Sequence, residues 1–373
     1  MLKLKTFIKN EIVLVISFLL AVISAFIIIP DKRYIDYIDY KTLSLLFCLM
    51  VVMAGLNNLG VFKICAEKLL SKTKSVKSLS LILCLMCFFS SMIITNDVAL
   101  ITFVPFTIIT LKISSNEKSL IPLVAIETVA ANLGSMLTPI GNPQNLYLFS
   151  FFEMDISSFL KTIIPYAAVS LMLVCLAALF TGKGKLEYRN QLDDNSKINS
   201  RPLLIYAVLF ILSLLTVFRV IPFYITLAVT VVIVFAFDRK TLLKIDYSLL
   251  LTFSFLFIFI GNLGNIESVS AFLKSAVTGN EVLVGIISSQ VFSNVPAALL
   301  LSGFTDNAEA LLVGVNLGGL GTLIASMASL ISFKVIAKEN IKTGRYMFVF
   351  TLINIVFLAV NILLWIIINR EVI

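Results

Sequence analysis

The sequence predicts an all-α polytopic membrane protein built from two inverted-topology repeats, each with a re-entrant hairpin and a broken transmembrane helix. Three observations predict it. Of 373 residues, 59% are hydrophobic and 13% charged, where a soluble chain carries about 25% charged residues; mean hydropathy is +1.04. Apolar runs long enough to span a bilayer recur from end to end, for example at 12–29, 43–59, 159–180 and 347–368. Two such runs are interrupted by polar, glycine-containing stretches that repeat one another.

Taken in order, the chain opens with "MLKLKTFIKN", a basic start like that of a signal peptide. Its apolar part runs to about 18 residues, longer than a signal h-region, so it reads as a retained first helix. Full crossings are expected at 11–29, 42–59, a broken segment 120–153, 159–181, 203–220, 222–237, 248–262, a broken segment 308–333, and 346–368. Two segments are left over as hairpins, 78–112 and 281–304. The second offers about ten apolar residues on each side of Ser293-Asn294-Val295, roughly 15 Å at helical rise, half a hydrocarbon core. It must enter and return on one side. Segments 62–74 and 266–277 place Phe62, Cys65, Ala66, Leu69 and Leu70, and Ile266, Val269, Phe272, Leu273 and Ala276, on one helical face each. These read as interfacial amphipathic helices, either plain loop helices or arms between moving parts.

The chain repeats itself. "LGVFKICAEKLL" at 59–70 matches "LGNIESVSAFLK" at 263–274, and "TNDVALITF" at 95–103 matches "SNVPAALLL" at 293–301. Residues 132–149 align without gaps to 316–333 with seven identities, among them Asn132/Asn316, Gly134/Gly318 and Thr138/Thr322. The first repeat is 1–181, followed by a loop at 182–202, and 203–373 holds a connecting helix plus the second repeat. The odd number of crossings between the copies inverts the second, an architecture found in secondary transporters. Loop charge gives an independent check. The N-terminus and the loops 60–78, 112–119, 182–202, 238–247 and 334–345 collect 22 of the 29 Lys and Arg, and the other side only 7. The positive side is cytoplasmic, so a cytoplasmic N-terminus and an extracytoplasmic C-terminus are expected, in the inner membrane.

Composition excludes several classes. With no histidine, imidazole catalysis and His-ligated metal or haem fall away. No HExxH and no nucleophile paired with a base is present, so an enzyme is not expected, nor any cofactor beyond a coupling Na⁺ or H⁺. Cys84 and Cys87 form a CxxC on an apolar segment with no second pair, which reads as buried thiols. The net charge of +8 is spread over loops, so topology accounts for it and nucleic acid is not an expected partner.

A broken helix at membrane depth is tolerated only where protein or a water-filled cavity satisfies the freed backbone. In "ANLGSMLTPIGNPQNLYLFS" (131–150), Thr138 and Asn142 bring local donors and acceptors, Gly134 and Gly141 permit a break or close approach, and Pro143 starts a new helix. Each hairpin tip supplies a partner, Thr95-Asn96-Asp97 in one and Ser293-Asn294-Val295 in the other. Helix N-termini aimed at the midplane suit an anion, and carbonyls freed at the breaks suit Na⁺. The candidate binding residues are therefore Thr95, Asn96, Asp97, Asn132, Thr138, Gly141, Asn142, Pro143, Ser293, Asn294, Val295, Asn316, Thr322 and Ser326. A Na⁺ would sit near Asn96, Asn142, Asn294 and Ser326. Two acids lie in the core. Asp97 is a coupling candidate, or else a helix cap. Glu127, about 16 Å from Thr138 along a helix, is the second coupling candidate, or else a paired structural acid. Asn57, Asn58, Asn262 and Asn265, at matching helix ends, read as C-caps. With no Lys, Arg or His in the core, anion charge must be met by helix ends, amides and co-transported cations.

At these residues the chain resembles the ion transporter superfamily, which includes divalent anion/sodium symporters, arsenite permeases and proteins with a citrate transporter-like domain. Those symporters carry Ser-Asn-Thr at each hairpin tip, where this chain has Thr95-Asn96-Asp97 and Ser293-Asn294-Val295. Asn96 and Asn294 are kept, and both third positions depart. "TNDVALITFVPF" and "NLGGLGTLIASMASLISFKV" look closer to the arsenite-permease branch, and "TPIGNPQNLYLF" to the carboxylate branch. The resemblance implies a small anionic substrate, inorganic or carboxylate, moved by alternating access with Na⁺ or H⁺. It also implies a transport domain of hairpins and broken helices sliding on a scaffold of the remaining helices, and a homodimer. Arsenite/antimonite efflux and Na⁺/H⁺ antiport are the alternatives. A passive channel would need no pair of broken helices.

Overall fold

The computed structural model describes residues 11–70, 73–182, 184, 199–339 and 341–370. The basic N-terminal stretch, most of the 182–202 loop and the last three residues lie outside the described residues. Among those described, every regular element is a helix. In chain order the principal ones are α1 Ile12–Ile27, α2 Tyr40–Asn58, α3 Val61–Leu70, α4 Val76–Ile94, α5 Asn96–Ile113, α6 Leu120–Ser135, α7 Pro143–Phe151, α8 Ile156–Phe180 and α9 Ser200–Val217. They continue as α10 Phe223–Phe237, α11 Tyr247–Gly264, α12 Glu267–Val277, α13 Glu281–Phe292, α14 Asn294–Ser302, α15 Ala308–Leu317, α16 Met327–Lys338 and α17 Thr343–Ile368. Among the described residues seven helices are long and apolar enough to cross a membrane, or eight if the pair α12–α13, bent by 114°, forms one span.

Both expected hairpins turn inside the protein. α4 and α5 are joined only by Thr95, α13 and α14 only by Ser293, and Ile94, Asn96, Ser293 and Asn294 at the turns are buried, while Phe292 is exposed. The hairpins are unequal. α4 and α5, of 19 and 18 residues, each pass as a full-length span, whereas α13 and α14 have 12 and 9. Two expected crossings are shorter than read: α1 has 16 residues and α10 has 15, the latter about 22 Å long at 1.5 Å per residue. The amphipathic segments form α3 and α12, with Lys63, Lys68 and Cys65 exposed on α3.

Packing divides the helices into two groups. α2 lies against α9 and α10, and α1 against α11. α4, α6 and α8 pack together, α17 joins α6, α16 packs on α5 and α6, and α13 on α15. α8 and α17 thus sit with the hairpins and broken helices, held to each other by Ser170 and Asn361, whose side chains meet at 3.2 Å, and to them by Thr181 Oγ1 on Ser80 Oγ at 2.7 Å. Loops grouped together by charge touch each other. Lys112 pairs with Glu339 at 2.6 Å, and Asn58 accepts from Lys244 at 2.6 Å and donates to Thr241 at 2.9 Å. Burial raises the Asp238 carboxyl, but hydrogen bonds from Thr241 and Tyr206 outweigh it and hold the group below the ordinary range.

The helix-end asparagines are bridges as much as caps. Asn262 donates to Ser24 and Tyr34, and Asn265 to Tyr37 as well as to the Gly261 carbonyl of its own helix.

Candidate functional site

Both helix breaks open where two helices end and two begin. At the first, α6 ends at Ser135 and α7 starts at Pro143, capped by Asn142, whose Oδ1 accepts from Asn145 N at 2.9 Å. Proline at the first helical position gives up an N–H that has no partner there anyway. The freed carbonyls of Met136 and Thr138 are taken by Asn145 Nδ2 at 3.0 and 3.1 Å. At the second, α15 ends at Leu317 and α16 starts at Met327. There Gln290 donates to the carbonyls of Gly318 and Leu320, both at 2.9 Å, and accepts from Thr322 N at 3.0 Å. Protein therefore satisfies the broken backbone, as burial in an apolar medium demands.

Each hairpin tip is sewn to its own break. Asn96 N donates to Gly141 O at 3.2 Å, and Asn294 N to Ala325 O at 2.9 Å. Thr138 Oγ1 donates to the Met92 carbonyl, at the place where Thr322 meets Gln290. The tip residues share one unusual backbone conformation, φ 70°, ψ 153° at Thr95 and φ 75°, ψ 152° at Ser293. A side chain at positive φ with extended ψ costs about 1–3 kcal/mol and persists only where the surroundings impose it. Neither tip residue caps its helix with its side chain.

The two breaks also hold each other, and they do so reciprocally. Ser326 Oγ donates to Asn132 Oδ1 at 3.0 Å, and Asn142 Nδ2 to Asn316 Oδ1 at 3.2 Å. Asn132 Nδ2 reaches Ser329 Oγ at 3.4 Å, and Asn316 Nδ2 reaches Asn145 Oδ1 at 2.7 Å. In the alignment of 132–149 with 316–333, Asn142 corresponds to Ser326 and Asn145 to Ser329. Each contact i–j is thus matched by j′–i′, as at an isologous interface. Asn96 Nδ2 adds a bond to Asn132 Oδ1 at 3.1 Å.

Beside this cluster lies a cavity of about 710 Å³. Thr95, Asp97, Asn142 and Pro143 line it from the cluster, and Asn58, Lys244, Asp246 and Lys334 from the face that carries those lysines. Asp97 does not cap α5; its backbone N–H is taken by Asn96 Oδ1 at 3.0 Å, and its carboxylate faces the cavity together with Asp246. The two lysines bring positive charge to the cavity wall, which the sequence reading left without any.

Of the sequence candidates, Asn96, Asn132, Asn142, Asn316 and Ser326 meet in the cluster through their side chains, and Gly141 joins it by its carbonyl. Ser293 and Asn294 lie at the second tip, and Val295 is buried in the first turn of α14. Thr322 is exposed, engaged through its backbone. Glu127 stands apart: fully buried, it accepts a hydrogen bond from Thr107 at Oε1, and its Oε2 has no partner. The sequence reading missed Gln290, Asn145 and Ser329. Asn145 and Ser329 could have been found from the alignment, being polar at matched positions in the first turn of α7 and α16. Gln290 had no such signal, because Met92 stands in its place in the first repeat. Among the described residues no group of three or more His, Cys, Asp or Glu could hold a metal ion.

Known proteins share this chain's sequence over most of its length. It is 34% identical over 336 residues, 89% of this chain and 91% of the relative, to a protein of Methanocaldococcus jannaschii described as an uncharacterized transporter. It is 30% identical over 322 residues, 84% of each chain, to the inner membrane protein YbiR of Escherichia coli. A silicon efflux transporter of Oryza sativa subsp. japonica is 33% identical over 155 residues, 40% of this chain and 31% of the relative. The model of the citrate transporter family matches residues 6–310. By that match and by its relatives, this multi-pass membrane chain belongs to the citrate transporter family, a part of the ion transporter superfamily.

Proposed function

We propose that this protein is a secondary active transporter that moves a small anion, inorganic or carboxylate, across the cytoplasmic membrane by alternating access, coupled to Na⁺ or H⁺. The observation that carries this is the meeting of four helix N-termini (α5, α7, α14 and α16) and four C-termini (α4, α6, α13 and α15) at one buried amide and hydroxyl cluster beside a cavity. Helix N-termini offer N–H groups and partial positive charge to an anion, and the C-termini offer carbonyls to a hard cation. In this reading Asn96, Asn142, Asn294 and Ser326 surround the Na⁺ if Na⁺ is the coupling ion. The reciprocal contacts support two inverted repeats, and the packing supports a moving unit of α4–α8 and α13–α17 against α1, α2 and α9–α11; in this reading the protein works as a homodimer. The family and the relatives point away from an enzyme, and the charge split favours a cytoplasmic N-terminus.

One observation favours a second reading. The Asp97 carboxylate would repel an anion by about 4 kcal/mol at 4 Å and an effective dielectric constant of 20, whereas an uncharged metalloid acid such as As(OH)3 is not repelled. The rice relative is described as a silicon efflux transporter, so efflux of arsenite or antimonite, or Na⁺/H⁺ exchange, is the alternative. The test is uptake by the purified protein in liposomes for a panel of anions under Na⁺ or pH gradients. Uphill accumulation of an anion is expected. No gradient-driven anion flux, with arsenite extrusion or Na⁺/H⁺ exchange instead, would overturn the proposal.

A further inference from the structure

Among the described residues two buried acids lie outside the tip-and-break cluster: Glu281 accepts from Thr305 and from Gly279 N, whereas Glu127 keeps one oxygen without a partner. It lies on unbroken α6, five residues before Asn132, about 7.5 Å along the helix axis. The groups that face it are Cys84 and Cys87 from α4, Thr107 from α5 and Tyr346 from α17, with Cys175 of α8 facing Cys84 and Ser332 of α16 on the neighbouring turn. Neither ion pair among the described residues includes it. Two polar atoms are left without partners at this level, Glu127 Oε2 and the Tyr346 hydroxyl, and both residues are fully buried. An uncompensated buried charge is strongly unfavourable, so such a group neutralises or takes a cation.

A polar seam joins this pocket to the site. α6 and α16 are stitched at Asn132–Ser326, at Asn132–Ser329 and, one turn of α6 further from the break, at Thr128–Ser332, 2.7 Å apart. Thr128 is next to Glu127 in sequence, and the Tyr346 hydroxyl lies beside Thr128 and Ser332. Na⁺ would need several free oxygens, but the carbonyls of a continuous helix are engaged and Oε1 already accepts from Thr107. One free carboxylate oxygen suits a proton.

We infer that Glu127 is a proton-binding residue of the transport cycle, separate from the hairpin-tip site and linked to it by the α6–α16 seam. This deepens the transport reading and rests on it. The proton taken from water forms an O–H bond at Oε2, and it returns to water when the packing of α6 against α5 and α17 changes.

Two measurements on the full-length protein test this. Infrared spectroscopy of the purified wild type across a pH titration should show a protonated-carboxyl stretch that E127Q lacks. That readout stands even if no anion proves to be transported. In liposomes with a one-unit pH gradient, a tenfold difference in proton activity, the wild type should accumulate its anion up to about tenfold and E127Q about onefold, with gradient-independent exchange retained. T107V keeps the carboxyl and removes its donor, so it should shift the band and its pH midpoint without abolishing them. The inference is overturned if the band persists in E127Q, if T107V leaves it unmoved, or if E127Q still accumulates anion under the gradient. It is also overturned if no band appears and Glu127 instead confers stabilisation by Na⁺.

Discussion

Replacing Gly134 with alanine tests whether the contact between hairpin and broken helix is as close as described. A Cβ at Gly134 would lie 2.1 Å from the Phe88 carbonyl oxygen and 2.7 Å from its carbonyl carbon. Ordinary contact starts at 3.4 Å, so the shortfall is about 1.3 Å and falls on α4 backbone, which no rotamer change relieves. If α4 and α6 part by that amount, the Asn96 N–Gly141 O bond of 3.2 Å stretches to about 4.5 Å and ceases to be a hydrogen bond. The Thr138–Met92 bond, one turn along α4, goes with it. Overpacking costs about 1–3 kcal/mol and two lost hydrogen bonds about 0.5–1.5 each, so a destabilisation of roughly 2–6 kcal/mol is expected. Because a misplacement of about 1 Å can lower the rate of a positioned site on the order of 100-fold, transport should fall further than the amount of folded protein. The assay is thermal unfolding in detergent beside initial uptake rates, with Gly264→Ala as control. Nothing lies within 4 Å of a Cβ there, and alanine in a helix is neutral or stabilising by up to about 1 kcal/mol. Wild-type melting and uptake in Gly134→Ala would refute the packing of hairpin on break.

Three further outcomes are expected. In double-mutant cycles, Asn142→Ala with Asn316→Ala, and Ser326→Ala with Asn132→Ala, should each show coupling of about 0.5–3 kcal/mol in unfolding free energy; additivity in both cycles would count against the reciprocal cluster. Asp97→Asn should keep substrate binding in a thermal-shift assay while losing its dependence on pH or Na⁺, and unchanged dependence on both ions would remove Asp97 from coupling. A reporter active only outside the cell should be active when fused after Ile373 and silent in the 182–202 loop; activity at the loop would reverse the charge-based orientation.

The breaks were legible because they violate the composition around them. Gly134, Thr138, Gly141, Asn142 and Pro143 stand out in an apolar run, and the recurrence of Asn132, Gly134 and Thr138 as Asn316, Gly318 and Thr322 located both breaks. The tips were legible for the same reason. What sequence could not give was which amide meets which hydroxyl between the repeats, 194 residues apart for Asn132 and Ser326, since Asn132 could equally have bonded within its own repeat. The arm lengths of the first hairpin were blurred because Pro105 and the run through Ile113 read the same whether the chain turns at Thr95 or crosses. Gln290 was hidden by chemistry: it does with a side-chain amide what the Thr138–Met92 pair does with a backbone carbonyl, so no residue type repeats.

Under the proposed function, charge balance at the cavity links the binding of anion and cation there, beside the proton that Glu127 carries. The cluster supplies neutral amides, hydroxyls and helix ends, and the ionisable side chain nearest to it on the cavity wall is Asp97. An anion arriving alone meets four helix N-termini, each a partial charge of about half a unit at most, and a full opposing charge at Asp97. A cation arriving alone meets the Asp97 carboxylate but leaves the partial positive charge of the four helix N-termini without a counter-charge. Filling both at once is the state with the least uncompensated charge, so each ligand raises the affinity for the other, and linkage makes that effect equal in both directions. Lys244 and Lys334, on the cavity wall away from the cluster, raise the local anion concentration without entering this balance. A site rebuilt with a fixed cation at position 97, as in Asp97→Lys, would bind anion without its partner ion and thereby lose the dependence that makes transport uphill.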